Sequence, residues 1–238
     1  MYPQSVTMHT TKTLTSLVLA TLISLLSAMP LWAGEAATLV NMIGGKVTLI
    51  KANKQTVELK LKDKIEEGDT VVTAKDTFAM FKFTDNAETI LRPGTEFKVI
   101  EHKFVSDDPS KDKTTSQLVN GGLRRLTGLC GKRGNPEVDK LITATATVGI
   151  RGTIYDVMSC AGGAGCEKLE NGTYFRVKDG EITIKNDAGE IALGKGQFAQ
   201  VATPTSKPVI LPKDPGLPNM TPPKSMQLQN QDGTQCAA

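Results

Sequence analysis

The chain has 238 residues, 28 lysines and arginines against 25 aspartates and glutamates, and 5% aromatic side chains. Setting aside residues 1–33, which hold one lysine and no acid, leaves 27 basic and 25 acidic groups, a balance of +2 (27 − 25). That balance, with no basic cluster interleaved by aromatics, excludes the electrostatic footprint of a nucleic-acid binder.

Residues 1–33 read as a secretory signal peptide. Lys12 precedes an apolar run from Leu14 to about Leu26, Pro30 breaks it, and the small residues Ala33, Gly34 and Ala36 follow. The run is short for a bilayer span, which takes about 20 residues. Cleavage after Ala33 or after Ala36 is expected. No later stretch is long and apolar enough to span a membrane, so the mature chain is expected to be periplasmic or secreted.

From residue 38 to 203 the pattern predicts an all-β domain. "GKVTLI", "TVELKL", "TVVTA", "TFAMFKF", "ETIL" and "TEFKVIE" follow one another at short intervals. Apolar and polar residues alternate in Val57-Glu58-Leu59-Lys60-Leu61 and in Phe97-Lys98-Val99. "EEGDT", "TDNAE" and "RPGT" supply the Gly, Asp, Asn and Pro that turns demand. Residues 102–140 are expected to be irregular, because "VNGGLRRLTGLCGKRGNPE" carries glycines that disfavour a continuous strand. Strands then resume in "TIYDVM", "TYFRVKDGEITIKN", "EIALGKG" and "QFAQV", with hairpins across 172–202. A faint echo between "GGKVTLIKANKQTVELKL" and "KDGEITIKNDAGEIALG" suits short stacked strands in a twisted roll, a solenoid-like stack or a sandwich. Residues 204–238 are proline-rich and are expected to form a disordered tail.

Cys160 and Cys166 flank the pliant loop "AGGAG", and in an exported chain they are expected to form a disulfide. Cys130 and Cys236 either pair or stay free. No metal is expected: the Cys160–Cys166 spacing is too wide for a C-x(2–4)-C knuckle and no histidine pair accompanies it. Catalysis has little to work with, and no catalytic residue or cofactor is assigned. His102 is expected to be a solvated surface histidine, and no nucleophile–base arrangement is present. Asp69, Asp85 and Glu88 each sit at a turn, where a carboxylate satisfies backbone donors. "GLCGKRG" (128–134) offers backbone amides, Lys132 and Arg133 to an anion, but a flexible connection is the simpler expectation.

One succession of motifs has a known likeness. "GKVTL" is followed by Gly68-Asp69-Thr70-Val71-Val72-Thr73, by Phe81-Lys82-Phe83-Thr84-Asp85, by Leu91-Arg92-Pro93-Gly94-Thr95, by "GGLRRLTG" and by "TATVGIRGTIYDV". In this order, over residues 44–157, it resembles the FecR-like periplasmic domain family. The family's best-known members are inner-membrane regulators that relay a signal from an outer-membrane iron-siderophore transporter. They carry a cytoplasmic anti-sigma segment, which is not expected here ahead of the signal peptide. The resemblance therefore implies a standalone, non-enzymatic exported module that binds a protein or cell-envelope ligand. Its alternative is a part in cell-surface signalling to a sigma factor beside a separate membrane partner. An enzyme acting on envelope polysaccharide is a third reading, and it needs a cleft with two carboxylates.

Gly68, Asp69, Gly149, Arg151, Gly152 and Thr153 are the motif positions. Gly149 and Gly152 are expected to turn the chain between strands. Arg151 is expected to brace that corner against an acidic partner or backbone carbonyls. The competing reading exposes Arg151 as a contact for an anionic group.

Overall fold

The computed structural model describes residues 34–133, 135, 137–160, 166–218, 220, 223 and 224, all within the compact unit Gly34–Ala238. The expected signal peptide lies outside them. The described residues are nearly all β, in one mixed sheet of 15 strands.

The sheet is two ladders that share their longest strands. One runs β4 (Lys64–Glu66), β1 (Glu35–Ile43), β6 (Phe78–Phe83), β7 (Glu88–Leu91), β9 (Lys113–Leu126), β11 (Thr147–Cys160), β12 (Gly172–Asn186), β14 (Phe198–Val201), β15 (Val209–Leu211). The other runs β3 (Thr56–Glu58), β2 (Val47–Ile50), β5 (Thr70–Thr73), β8 (Glu96–Lys103), then β9, β10 (Asp139–Ile142), β11, β12 and β13 (Gly189–Gly194). Among the described residues only β9 and β10 pair in parallel. The first half of β9 pairs with β8 and β10, and its second half with β7 and β11. β11 and β12 divide their partners in the same way. Strands that leave one layer and enter another turn the corners of a sandwich.

The corners fall at Gly121 in β9 and Gly152 in β11, whose φ angles of 85° and 62° suit glycine. Each corner is clamped by a threonine. Thr95 Oγ1 accepts the Gly122 N–H and donates to the Gly122 carbonyl, both at 3.0 Å. Thr127 Oγ1 does the same for Thr153, at 3.0 and 2.7 Å. Thr153 Oγ1 in turn donates to the Glu181 carbonyl at 2.7 Å, next to the third corner at Gly180. At that corner a side chain on residue 180 would lie 2.4 Å from the Gly152 carbonyl oxygen.

Among the described residues the α-helical content is one turn, α1 (Leu129–Lys132), with a 3₁₀ turn at Pro109–Lys111. So little helix cannot cover a sheet, and the two ladders must cover each other's apolar faces. Leu39, Phe81, Leu123, Tyr155 and Phe175 from the first and Val71, Phe97, Leu118, Leu141 and Val148 from the second join one core cluster. Each is at most 1% exposed.

Four expectations are corrected. The glycine-rich middle is no break: β9 runs 14 residues through Gly121 and Gly122, because the glycines make a corner within a strand. The segment 128–134 is helical over Leu129–Lys132, with Cys130 and Gly131 buried. The domain's first strand begins at Glu35 rather than 38. The segment from 204 is ordered at its start: β15 pairs with β14, and Leu217 and Met220 are buried. Residues 225–238 lie outside the described residues.

Candidate functional site

The buried charges are structural and arranged in two rows. On the inner face of β9, Arg125 is 1% exposed, and its Nη2 donates to both Asp139 oxygens at 3.3 Å across the core from β10. Its Nη1 donates to Thr89 Oγ1 at 3.2 Å, and its guanidinium lies 4.9 Å from the Phe83 ring centre. Burial is the largest single influence and works against the Arg125 cation, but Asp139, Tyr155 and Asp85 together outweigh it and hold the pKa above the ordinary value. Burial is also the larger influence on Asp139 and raises its carboxyl pKa against the pull of Arg125.

On the outer face, Arg124, Asp156 and Arg176 sit opposite one another on β9, β11 and β12. Arg124 grips Asp156 with Nε at 2.7 Å and Nη2 at 3.1 Å, and Arg176 adds Nε at 2.7 Å. Asp156 is fully buried beneath these forks. Sequence reasoning missed both rows, although the signal was the pair Arg124-Arg125, whose neighbours on a strand must face opposite ways.

The remaining interior titratable groups are held too. His102 is 5% exposed, not the solvated surface residue expected. Its Nε2 lies 2.7 Å from Thr84 Oγ1 and its Nδ1 3.0 Å from Thr114 Oγ1. Burial lowers its pKa from 6.5 to about 4. Cys130 is a buried free thiol, pushed by burial up to about 12, so it is a poor nucleophile. Cys236 lies outside the described residues. Asp85 accepts the N–H groups of Ala87 and Cys130, seating α1. Among the described residues no group of three His, Cys, Asp or Glu side chains is arranged to hold a metal.

The motif positions separate into two kinds. Asp69 accepts the N–H groups of Ala52 and Glu66 beside Gly68, whose φ is 87°. Gly152 and Thr153 form the clamped corner described above. These four shape the backbone. Gly149 and Arg151 instead face outward on β11. Arg151 is exposed and, among the described residues, has no ion pair and no side-chain hydrogen bond, so the expected brace is absent. The bracing falls to Arg124, Arg125 and Arg176. Cys160 and Cys166 are joined as expected, with Cα atoms 5.5 Å apart.

Gly149 lies in a groove of about 460 Å³ across the outer face of β10, β11 and β12. Lys140 and Thr183 are its cross-strand neighbours, and Thr147, Lys185, Glu137 and Glu190 line the sides. Lys140 pairs with Glu137, and Lys185 with Glu190 at 3.4 Å. The hydrogen bond from Lys140 keeps the Glu137 carboxyl below the usual range. The groove thus offers charges of both signs and a glycine that permits close approach, a surface suited to recognition. A general acid needs a carboxyl held protonated, and Glu137 is shifted the other way.

No family model matches the sequence, and no curated protein does. Among solved structures, two crystal structures of a protein from Parabacteroides distasonis ATCC 8503, provisionally named an anti-sigma factor, are similar to it over part of their length. They are 12% and 13% identical to it, each with a TM-score of 0.45. The match covers 61% of this chain and 60% of theirs. A likeness this distant assigns neither family nor activity.

Proposed function

We propose that this chain is an exported, non-enzymatic β-domain of the FecR-like type, which binds a protein or cell-envelope ligand in the groove over β10, β11 and β12. The observation that carries this reading is the position of Gly149 and Arg151. Gly149 lines the groove, and Arg151, two residues further along β11, is exposed without an ion pair among the described residues. The other four motif residues serve the backbone. The Cys160–Cys166 disulfide supports export, since such bonds persist in oxidising compartments. Among the described residues, no helix is long and apolar enough to cross a membrane.

Reversing two groove charges tests the reading. The variant Lys140→Glu with Lys185→Glu should melt like the wild type, because Lys185 is 70% exposed and Lys140 33%. It should also lose the partners that the wild-type protein retains when crosslinked in intact cells. Unchanged partner recovery would end the assignment of binding to this groove.

The signalling alternative rests on the order of the sequence motifs alone. A deletion strain with unaltered iron- and stress-response transcripts would count against it.

A further inference from the structure

The first half of the expected tail behaves as a ligand bound to its own chain. After Val201 the backbone crosses an exposed stretch containing Pro204, adds the three-residue β15 to β14, and then lies over the outer face of β9, β11 and β12. Asp214 Oδ1 accepts the N–H groups of Gly216 and Leu217 at 2.9 and 3.0 Å, a local turn that presents Leu217. Asp214 Oδ2 also lies 3.6 Å from Arg176 Nη1. Leu217 and Met220 are 8% and 0% exposed and join Met158, Tyr174 and the Cys160–Cys166 disulfide in a cluster separate from the main core.

The slot that receives them is shaped by an absent side chain. A Cβ on Gly122 would stand 2.6 Å from Met158 Sδ and 3.0 Å from Met220 Cε. Among the described residues the main core contains none beyond Val201, so that apolar interior is built without the strap's described residues. A short edge pairing, the inserted Leu217 and Met220 with partly buried Leu211 beside them, one partly exposed ion pair, and a hydrogen bond from Asn186 Nδ2 to the Ser206 carbonyl at 2.7 Å hold the strap and its connection down. Such a unit opens at a small fraction of the global unfolding free energy. Its edge strand also exposes Val209 and Ile210, at 55% and 44%.

We propose that this strap is exchangeable, and that the slot over Gly122, Met158 and Tyr174 accepts the same segment from a second copy of the chain. The second copy carries the acidic residue that meets Arg176 and the two apolar residues, three and six positions later, that fill the slot. The connection is mostly exposed over residues 202–207, so apart from the Asn186–Ser206 hydrogen bond few contacts are lost when the strap leaves its own domain.

The test uses the full chain and a labelled peptide of residues 207–224. The variant Leu217→Asp with Met220→Asp empties the slot and should still melt cooperatively. It should bind the peptide about 100-fold more tightly than the wild type does, because the wild-type strap competes at roughly millimolar effective concentration. The same peptide carrying Asp214→Lys should bind the variant more weakly. Sedimentation of the wild type at rising concentration should show a dimer that the variant does not form. A variant that does not bind the peptide, or that loses cooperative melting, overturns the proposal. So does a wild-type chain that stays monomeric at every concentration.

Discussion

Thr127 and Thr153 are locked to each other across β9 and β11: the Thr127 hydroxyl accepts the Thr153 N–H at 3.0 Å and donates to the Thr153 carbonyl at 2.7 Å. The backbone next to Gly152 departs from the ladder to turn its corner, so its N–H and carbonyl need a partner from elsewhere. Thr95 does the same for Gly122, and Thr73 accepts the Thr95 N–H at 2.9 Å. The threonines that end "GDTVVT", "LRPGT" and "GIRGT" therefore all take part in hydrogen bonds at the corners, the first two at Gly122 and the third with Thr127. Thr127→Val keeps the shape and removes the hydroxyl, leaving a buried N–H unpaired. Chemical denaturation should show a loss of about 1–3 kcal/mol. Thr205→Val, at an exposed position, should change stability by no more than about 0.5 kcal/mol.

Arg125 and Asp139 join the two layers through the core. Removing one partner strands the other charge in an apolar interior. Arg125→Met or Asp139→Leu alone should cost about 3–5 kcal/mol in denaturant titrations. The double variant should cost less than either single one, because no buried charge is left unpaired.

His102 makes stability depend on pH in the mildly acidic range. Its pKa falls from 6.5 to about 4 on folding, chiefly through burial, with Asp85 and Asp112 opposing that fall and Arg125 aiding it. Between those values the unfolded chain binds the proton and the folded chain does not. The contribution is therefore fully present above pH 6.5 and is lost as pH falls toward 4. Its size is at most about 3 kcal/mol. Denaturant titrations of the wild type and of His102→Gln between pH 7 and pH 4 should show a shallower decline in the variant.

Cys130 should be inert in the folded protein. Its thiol is buried and titrates near 12. Iodoacetamide at about pH 8 should leave the Cys130 peptide unmodified in the folded protein, where burial keeps the thiol protonated and out of reach, and should modify it once unfolding returns the thiol to a pKa of about 8.5. Peptide mapping separates this site from Cys236.

Much of this architecture was legible in the sequence, and the misreadings share a cause. Alternation named the β class, and the spacing of Cys160 and Cys166 named their disulfide. His102 was expected at the surface as a lone histidine beside the charged loop, and alternation from Phe97 and Val99 would also put it on the outer face. The register shift between Val99 and Glu101 moves it to the inner one. Gly121 resets the parity of β9 in the same way, which buries Arg125 against the core. The "VIL" of β15 is too short to carry a periodic signal between Pro208 and Pro212, and it is a strand because β14 offers an edge. Of the groove, Gly149 was singled out as a turn residue. Its cross-strand neighbours Lys140 and Thr183 come together only through pairing of distant strands.

The claim that the outward groove over β10, β11 and β12 is the binding surface is tested most directly by site-specific photo-crosslinking in intact cells. A photoreactive residue at Lys185, which lines the groove, should give a discrete covalent adduct with a partner. The same residue at Lys60, exposed far from the groove in sequence and in pairing, should give none. No adduct from Lys185, or the same adduct from both positions, would contradict the account.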